Sequence, residues 1–131
     1  MAPTDPVPTT EIDPDRVLRS VLDGLRRDAS GPAEGVRRLY AFASDRMRAA
    51  LGDEEAFARA FRTTLYAPLL GHAEARVEAL ERRGDAARAT VWVRSADGAS
   101  VRFTVALARA RHGDRQGCWL LSGLAREGVD L

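Results

Sequence analysis

Residues 101–107 read Val-Arg-Phe-Thr-Val-Ala-Leu and carry the strongest structural pattern in the sequence. The apolar side chains occupy every second position, which sends them all to one face of a pleated sheet. The segment therefore predicts a β-strand with a buried face. That face should carry Val101, Phe103, Val105 and Leu107.

Two further segments predict strands on either side of this one. Residues 88–95 alternate in the same way, and the Ala-Asp-Gly sequence at 96–98 has the chemistry of a tight hairpin turn. After a polar loop at 112–117, residues 118–124 predict the last strand of an antiparallel meander. The first of these strands should add Ala89, Val91 and Val93 to the buried face.

Residues 74–83 fit both a helix and a strand. Glu, Ala, Arg and Leu are good helix formers, whereas Ala75, Val77 and Ala79 alternate as in a strand. Because three predicted strands follow, a fourth would extend the same sheet at its edge. We therefore predict a strand, with a helix as the alternative.

The first half of the chain predicts helices. Asp13 and Pro14 combine an N-cap carboxylate with a proline at the first helical position, where its missing N–H is harmless. Apolar residues follow at helical spacing from Val17 to Leu25, and Ser30-Gly31-Pro32 should end the first helix. Further helices are expected over 32–43, after a Ser44 N-cap and after an Asp53 N-cap.

Helices followed by an antiparallel meander predict an α+β fold, with the N-terminal helices packed on one face of a curved antiparallel β-sheet. The 131 residues fit one domain, which should span 13–124. Residues 1–12, rich in proline, bury too little apolar area to order themselves and predict a disordered tail. Residues 125–131 lose the pattern and predict a short C-terminal tail.

Composition excludes several kinds of chemistry. All 20 Lys and Arg residues are Arg, so a Schiff-base lysine and a phosphate-loop lysine are excluded. A net charge of +1 steers neither nucleic acid nor an anionic membrane, and we expect neither as a partner. His72 and His112 lack further ligands at metal-binding spacing, so we expect no metal and no cofactor. The lone Cys118 and the absence of a signal-peptide-like segment predict a cytoplasmic protein.

The order of these elements resembles the nuclear transport factor 2-like superfamily, also called cystatin-like, which includes ketosteroid isomerase, scytalone dehydratase and SnoaL-type cyclases. Within it, the chain is similar to a domain-of-unknown-function family of short bacterial proteins. The resemblance covers about 13–124 and implies a cone-shaped fold around an apolar site. The residues that carry it are Phe42-Ala43-Ser44, Leu51-Gly52, Phe57, Phe61, Tyr66-Ala67-Pro68-Leu69 and Gly117-Cys118-Trp119-Leu120-Leu121-Ser122-Gly123.

Aromatic side chains are the candidates for lining that site, with ordinary core packing as the alternative. The candidates are Tyr40, Phe57, Phe61, Tyr66, Phe103 and Trp119. The superfamily's isomerases use carboxylates and a tyrosine in an apolar pocket. Here the inward strand positions hold no Asp, Glu or His, so no catalytic residue is carried over.

The other face of the sheet predicts an interface. Arg88, Trp92 and Arg94 share that face of one strand, and Arg102 lies on the same face of the next. Trp and Arg anchor the centres of many protein interfaces. Members of the superfamily commonly dimerise through this face, so a homodimer is the first interpretation, ahead of a solvated face and of single-stranded nucleic acid.

Two functions remain open. The first is a non-enzymatic module that binds a small apolar ligand in the cone or a protein through the sheet. The second is an isomerase, dehydratase or cyclase in which Asp45, Tyr66 or His72 supplies the acid or base. An ionisable side chain in a cavity would favour the second function, whereas a filled core would argue against both uses of the interior.

Overall fold

The computed structural model describes residues 7–63 and 65–127. Over these residues the helices precede the strands, and the predicted α+β class is confirmed. The elements are α1 (Pro14–Arg26), α2 (Glu34–Phe42), α3 (Asp45–Leu51), α4 (Glu54–Phe61), a 3-10 helix (Ala67–Leu69), β1 (Glu74–Arg83), β2 (Ala86–Arg94), β3 (Ser100–Arg109) and β4 (Trp119–Arg126).

The four strands form one curved antiparallel sheet in the order β1-β2-β3-β4. Its inner face joins the helices in a single hydrophobic core. The predicted inner-face residues are confirmed, since Val101 is half-buried and the other six are at most 2% exposed. Burying one Val, Leu or Phe side chain contributes about 1.5–3 kcal/mol, so this face dominates the stability of the sheet.

The predicted edge strand is confirmed as β1, although its alternation contains an irregularity. The register shifts between Val77 and Ala79, which leaves Glu78 as the extra residue of a β-bulge. Beyond the bulge Leu80 lies opposite the buried Ala89, whereas Ala79 lies opposite the outward-facing Thr90. The Ala75, Val77, Ala79 alternation is therefore correct only up to the bulge.

Three predicted helix caps are confirmed. The carboxylate of Asp13 accepts a hydrogen bond from the Arg16 N–H at 2.9 Å. In the same way Ser44 and Asp53 accept from the N–H groups three residues later, at 3.1 and 2.9 Å. Each such cap contributes about 1 kcal/mol.

The corner between α1 and α2 has a cap that local pattern does not predict. α1 ends at Arg26, and the N-cap position of α2, Ala33, has no side-chain hydrogen bond. Asp28, which is only 3% exposed, caps α2 instead, although it precedes the N–H groups that it accepts from by five to eight residues. Its two oxygens accept from the N–H groups of Ala33, Gly35 and Val36 at 2.9–3.1 Å.

The ends of the domain differ from the predicted bounds. Ile12, expected in the tail, packs partly buried against the core, whereas residues 1–6 of that tail lie outside the described residues. β4 continues two residues past the expected end because Arg126 pairs with Phe103. Of the predicted 125–131 tail, residues 128–131 lie outside the described residues.

Candidate functional site

The space between the helices and the sheet is filled by side chains. Phe57, Phe61 and Phe103 are fully buried, and Trp119 is 2% exposed. The cavity enclosed by α1, α2 and the sheet has a volume of about 10 Å³ and is lined only by Leu, Val and Phe. A drug-sized ligand needs roughly 300–1,000 Å³. In the described part of the chain, this cavity therefore has no room for a small apolar ligand.

The aromatic residues expected to line a pocket pack on one another and on arginines instead. Tyr40 meets Phe57 edge-on with ring centroids 5.1 Å apart, and Phe61 stacks on Tyr66 at 5.2 Å. Guanidinium groups cover two of them: Arg48 lies 4.2 Å from the Tyr40 ring, and two arginines lie within 5.2 Å of the Trp119 ring. These contacts match the core-packing alternative.

The three residues considered as acid or base do not meet. Asp45 is 81% exposed and binds Arg115 at 3.0 Å. The Tyr66 hydroxyl donates to the Leu124 carbonyl at 3.3 Å, and burial raises the pKa of Tyr66. His72 is 4% exposed, and its Nδ1 donates to a backbone carbonyl at 2.9 Å. The groove that Asp45 lines includes neither of the others, so these groups do not form an acid–base pair.

His72 makes the stability of the fold depend on pH. Burial lowers the pKa of His72 below its usual 6.5 and outweighs the effect of the hydrogen bond to Leu69. The His72 imidazole therefore binds a proton more readily in the unfolded chain than in the folded one. The stability that comes from burying the neutral imidazole is present above about pH 6.5 and is lost as the pH falls through the lower folded-state pKa. We expect the loss in unfolding free energy between pH 7.5 and pH 5.5 to be smaller in His72→Gln, measured by urea denaturation.

The matched control for this pH dependence is His112→Gln. His112 is exposed in the β3–β4 loop, so its removal deletes a histidine without touching the core. The His112→Gln variant should keep the wild-type difference between the two pH values. If His72→Gln keeps it as well, buried His72 is not the source.

The four residues predicted as an interface all lie on the outer face of the sheet. Trp92 sits opposite Arg102 of β3 and Arg76 of β1, and the Arg76 guanidinium lies 4.7 Å from its ring centroid. Trp92 is half-buried under this cover, whereas Arg88 and Arg94 are exposed. The face therefore presents a tryptophan surrounded by arginines.

Three arginines of the outer face are paired with glutamates of the same face. Arg102 binds Glu78, the bulge residue, with two bonds of 2.6 and 3.2 Å, and this contact lowers the pKa of Glu78. Arg76 and Arg94 share Glu74, at 3.0 and 3.6 Å. These exposed pairs add little stability because water and salt screen them, but they leave the face nearly neutral.

A surface groove between α3 and the β3–β4 loop was not predicted. Its volume is about 570 Å³. We call it the arginine groove, because five of its lining residues are Arg46, Arg48, Arg109, Arg111 and Arg115, against two acids, Asp45 and Asp114. The only sequence signal was the pair of short basic segments 46–48 and 109–115, which lie about sixty residues apart.

Two of these arginines are fixed by the C-terminal end of α2. Arg48 donates through Nε and Nη2 to the Tyr40 carbonyl at 3.1 and 2.7 Å. Arg115 donates through Nη1 to the carbonyls of Ala41 and Ala43 at 3.0 and 2.5 Å. Positive groups are favourable at this negative end of a helix. The contacts hold both guanidinium groups at the groove wall.

Comparison with protein-family models, with curated proteins and with solved structures found no match to this chain. None of the described helices has the length and apolar character needed to cross a membrane. Within residues 7–63 and 65–127, no three His, Cys, Asp or Glu side chains are grouped as metal ligands.

Proposed function

We propose that the protein is a non-enzymatic protein-interaction module that works through the outer face of its sheet, and that the face is covered by a second copy of the chain. One observation carries the proposal: Trp92 lies on a face where Arg76, Arg94 and Arg102 each lie within 3.6 Å of a glutamate of the same face. Burying an unpaired charge is costly, whereas a paired one retains its partner when water is excluded. Such a face can be covered while these three arginines keep their partners.

The same pairing favours a second copy over a strongly charged partner. Glu74 and Arg94, Glu78 and Arg102, and the register partners Glu81 and Arg88 place opposite charges side by side. A two-fold symmetric interface brings a surface onto its own image, so the surface must be self-complementary. A face of alternating sign meets this condition, whereas a face of one sign repels its copy.

The residues around Trp92 suit close approach of another sheet. Beyond Arg76 and Arg102 the outer face continues with small residues: Thr90, Thr104 and Ala106 are half-buried and pair across β2, β3 and β4. Packed sheets stand about 10 Å apart, and small side chains on this face allow that separation. Trp92 would then supply the large central contact that aromatic anchors provide in interfaces.

We also infer that the fold is the cone of the nuclear transport factor 2-like superfamily. The helices on the inner face of a curved four-stranded sheet support this inference at the coarse level. The packed interior, with its 10 Å³ cavity, supports binding at the surface over binding of a small ligand in the cone.

The variant Trp92→Glu tests the interface. Wild-type protein should sediment at about twice the chain mass of 14.3 kDa, and Trp92→Glu should sediment as a single chain. The new carboxylate would lie between Arg76 and Arg102, so the variant should keep its fold, as judged by circular dichroism. Sedimentation equilibrium at several concentrations measures both masses.

Gln116→Glu is the matched control, because it adds the same charge at an exposed loop position away from the sheet. It should sediment like the wild type. A wild-type protein that is monomeric at every concentration overturns the proposal. A Trp92→Glu variant that keeps the wild-type dimer mass overturns the assignment of the interface to this face.

A further inference from the structure

We propose that the arginine groove is a binding site for a small phosphate-bearing molecule. The groove is a second surface, distinct from the outer face, and arginines outnumber acids in its lining even though Arg109 pairs with Asp85 outside it. Five arginines and His112 line it against two aspartates. The excess of positive charge attracts a ligand that carries negative charge.

The two fixed arginines of the groove have donors to spare. Arg48 uses Nε and Nη2 on backbone, and its Nη1 donates to no residue in the described part of the chain. Arg115 uses Nη1 and Nη2, and its Nε likewise has no partner among residues 7–63 and 65–127. A guanidinium presents its N–H groups in a planar fork that matches two phosphate oxygens.

These side chains are held in place before any ligand arrives. The Arg48 guanidinium donates to the Tyr40 carbonyl and lies over the Tyr40 ring. The Arg115 side chain is only 19% exposed. Ordering a free arginine on binding costs conformational entropy, which a preorganised one has already lost in folding. The groove is therefore shaped for binding in the unliganded protein.

The two cations also repel each other. Burial lowers the pKa of Arg48, and the neighbouring positive charge of Arg115 lowers it further. Asp45 binds Arg115 directly and also attracts Arg48, but its carboxylate is itself 81% exposed. An anion seated beside both guanidinium groups would relieve this repulsion, since it attracts each of them.

Two exposed arginines complete the site. Arg46 on α3 and Arg111 in the loop line the groove, and neither has an ion-pair partner in the described part of the chain. Both side chains are free to close on a ligand held by the fixed pair. They are also the safest positions to mutate, because neither side chain makes a hydrogen bond or an ion pair within residues 7–63 and 65–127.

A compact phosphate fits the lining better than a polyanion does. Asp45 and Asp114 stand in the lining, where they would repel a continuous chain of phosphates. The lining residues include no Phe, Tyr or Trp, the side chains on which bases of single-stranded nucleic acid stack. The volume of about 570 Å³ lies within the range of small-molecule sites.

Titration calorimetry with inorganic phosphate, pyrophosphate and glycerol 2-phosphate tests the proposal at constant ionic strength. We expect saturable binding of at least one of them. Arg46→Gln and Arg111→Gln should each weaken it about tenfold, the loss of one charge-assisted hydrogen bond. Arg62→Gln removes an equally exposed arginine outside the groove and should bind like the wild type.

Three results would overturn the proposal. The first is heat no greater than that of sodium chloride at the same ionic strength. The second is an equal loss in Arg62→Gln, which would indicate screening of overall charge. The third is tighter binding of a single-stranded oligonucleotide than of any small phosphate, with the same two arginines required. Trp92→Glu should bind phosphate like the wild type, so this site stands or falls independently of the dimer.

Discussion

Gly35→Ala should destabilise the protein by about 3 kcal/mol and lower its melting temperature by roughly 10 °C. A Cβ atom at Gly35 would lie 2.6 Å from the backbone nitrogen of Leu25 and closer still to the carbonyl group of Gly24. These are backbone atoms of α1, so no side chain can rotate away. The methyl group can be accommodated only by moving α1 off α2, which opens the core between them.

The facing glycine provides the matched control. A Cβ at Gly24 would lie 3.2 Å from the Gly35 Cα and 3.3 Å from the Arg38 side chain, contacts that shifts of a few tenths of an ångström relieve. In addition, alanine gains about 1 kcal/mol over glycine in a helix. Gly24→Ala should therefore stay within about 1 kcal/mol of the wild type. Urea denaturation followed by circular dichroism measures both. Equal stability of the two variants would mean that the helices do not cross this closely.

Asp28→Ala should cost about 3 kcal/mol. The buried carboxylate accepts hydrogen bonds from the backbone N–H groups of Ala33, Gly35 and Val36. Its removal takes the acceptor from all three N–H groups at the start of α2. Asp28→Asn should cost less, because its amide oxygen can replace the oxygen that serves Ala33 and Val36. Its amide NH₂ would then face the Gly35 N–H, so the variant should fall between Ala and the wild type.

Asp13→Ala is the comparison that tests this expectation. Asp13 caps α1 through one exposed hydrogen bond, so its loss should cost about 1 kcal/mol. Denaturation midpoints in urea order the three variants on one scale. If Asp28→Ala proves no less stable than Asp13→Ala, the three buried hydrogen bonds contribute no more to the free energy of unfolding than one surface cap does.

The sheet shows how far periodicity reaches. The alternation at 101–107 predicts a strand and its buried face because neighbouring side chains of a strand always point to opposite sides. The strand at 74–83 was predicted only because three strands follow it, since its composition suits a helix as well. The bulge at Glu78 was not predicted, because it is defined by pairing with β2, which the sequence of β1 does not contain.

The candidate sites also have one part that the sequence predicted and one part that it did not. The sequence placed Trp92 and Arg102 on one face, because both belong to adjacent strands with regular alternation. It could not tell whether Phe57, Phe61 and Phe103 surround a cavity or fill it. Apolar character drives burial in either case, and only the packing of side chains from separate elements decides the volume left between them.

By itself, the sequence determined the features that arise within a few residues of one another. The caps at Asp13, Ser44 and Asp53, the strand faces and the hairpin turns belong to this class. Tertiary structure alone decided the Asp28 cap, the Gly24–Gly35 crossing, the closed interior and the arginine groove. Each of these joins groups that are distant in sequence, and their separation is set by how whole helices and strands pack, which no local pattern records.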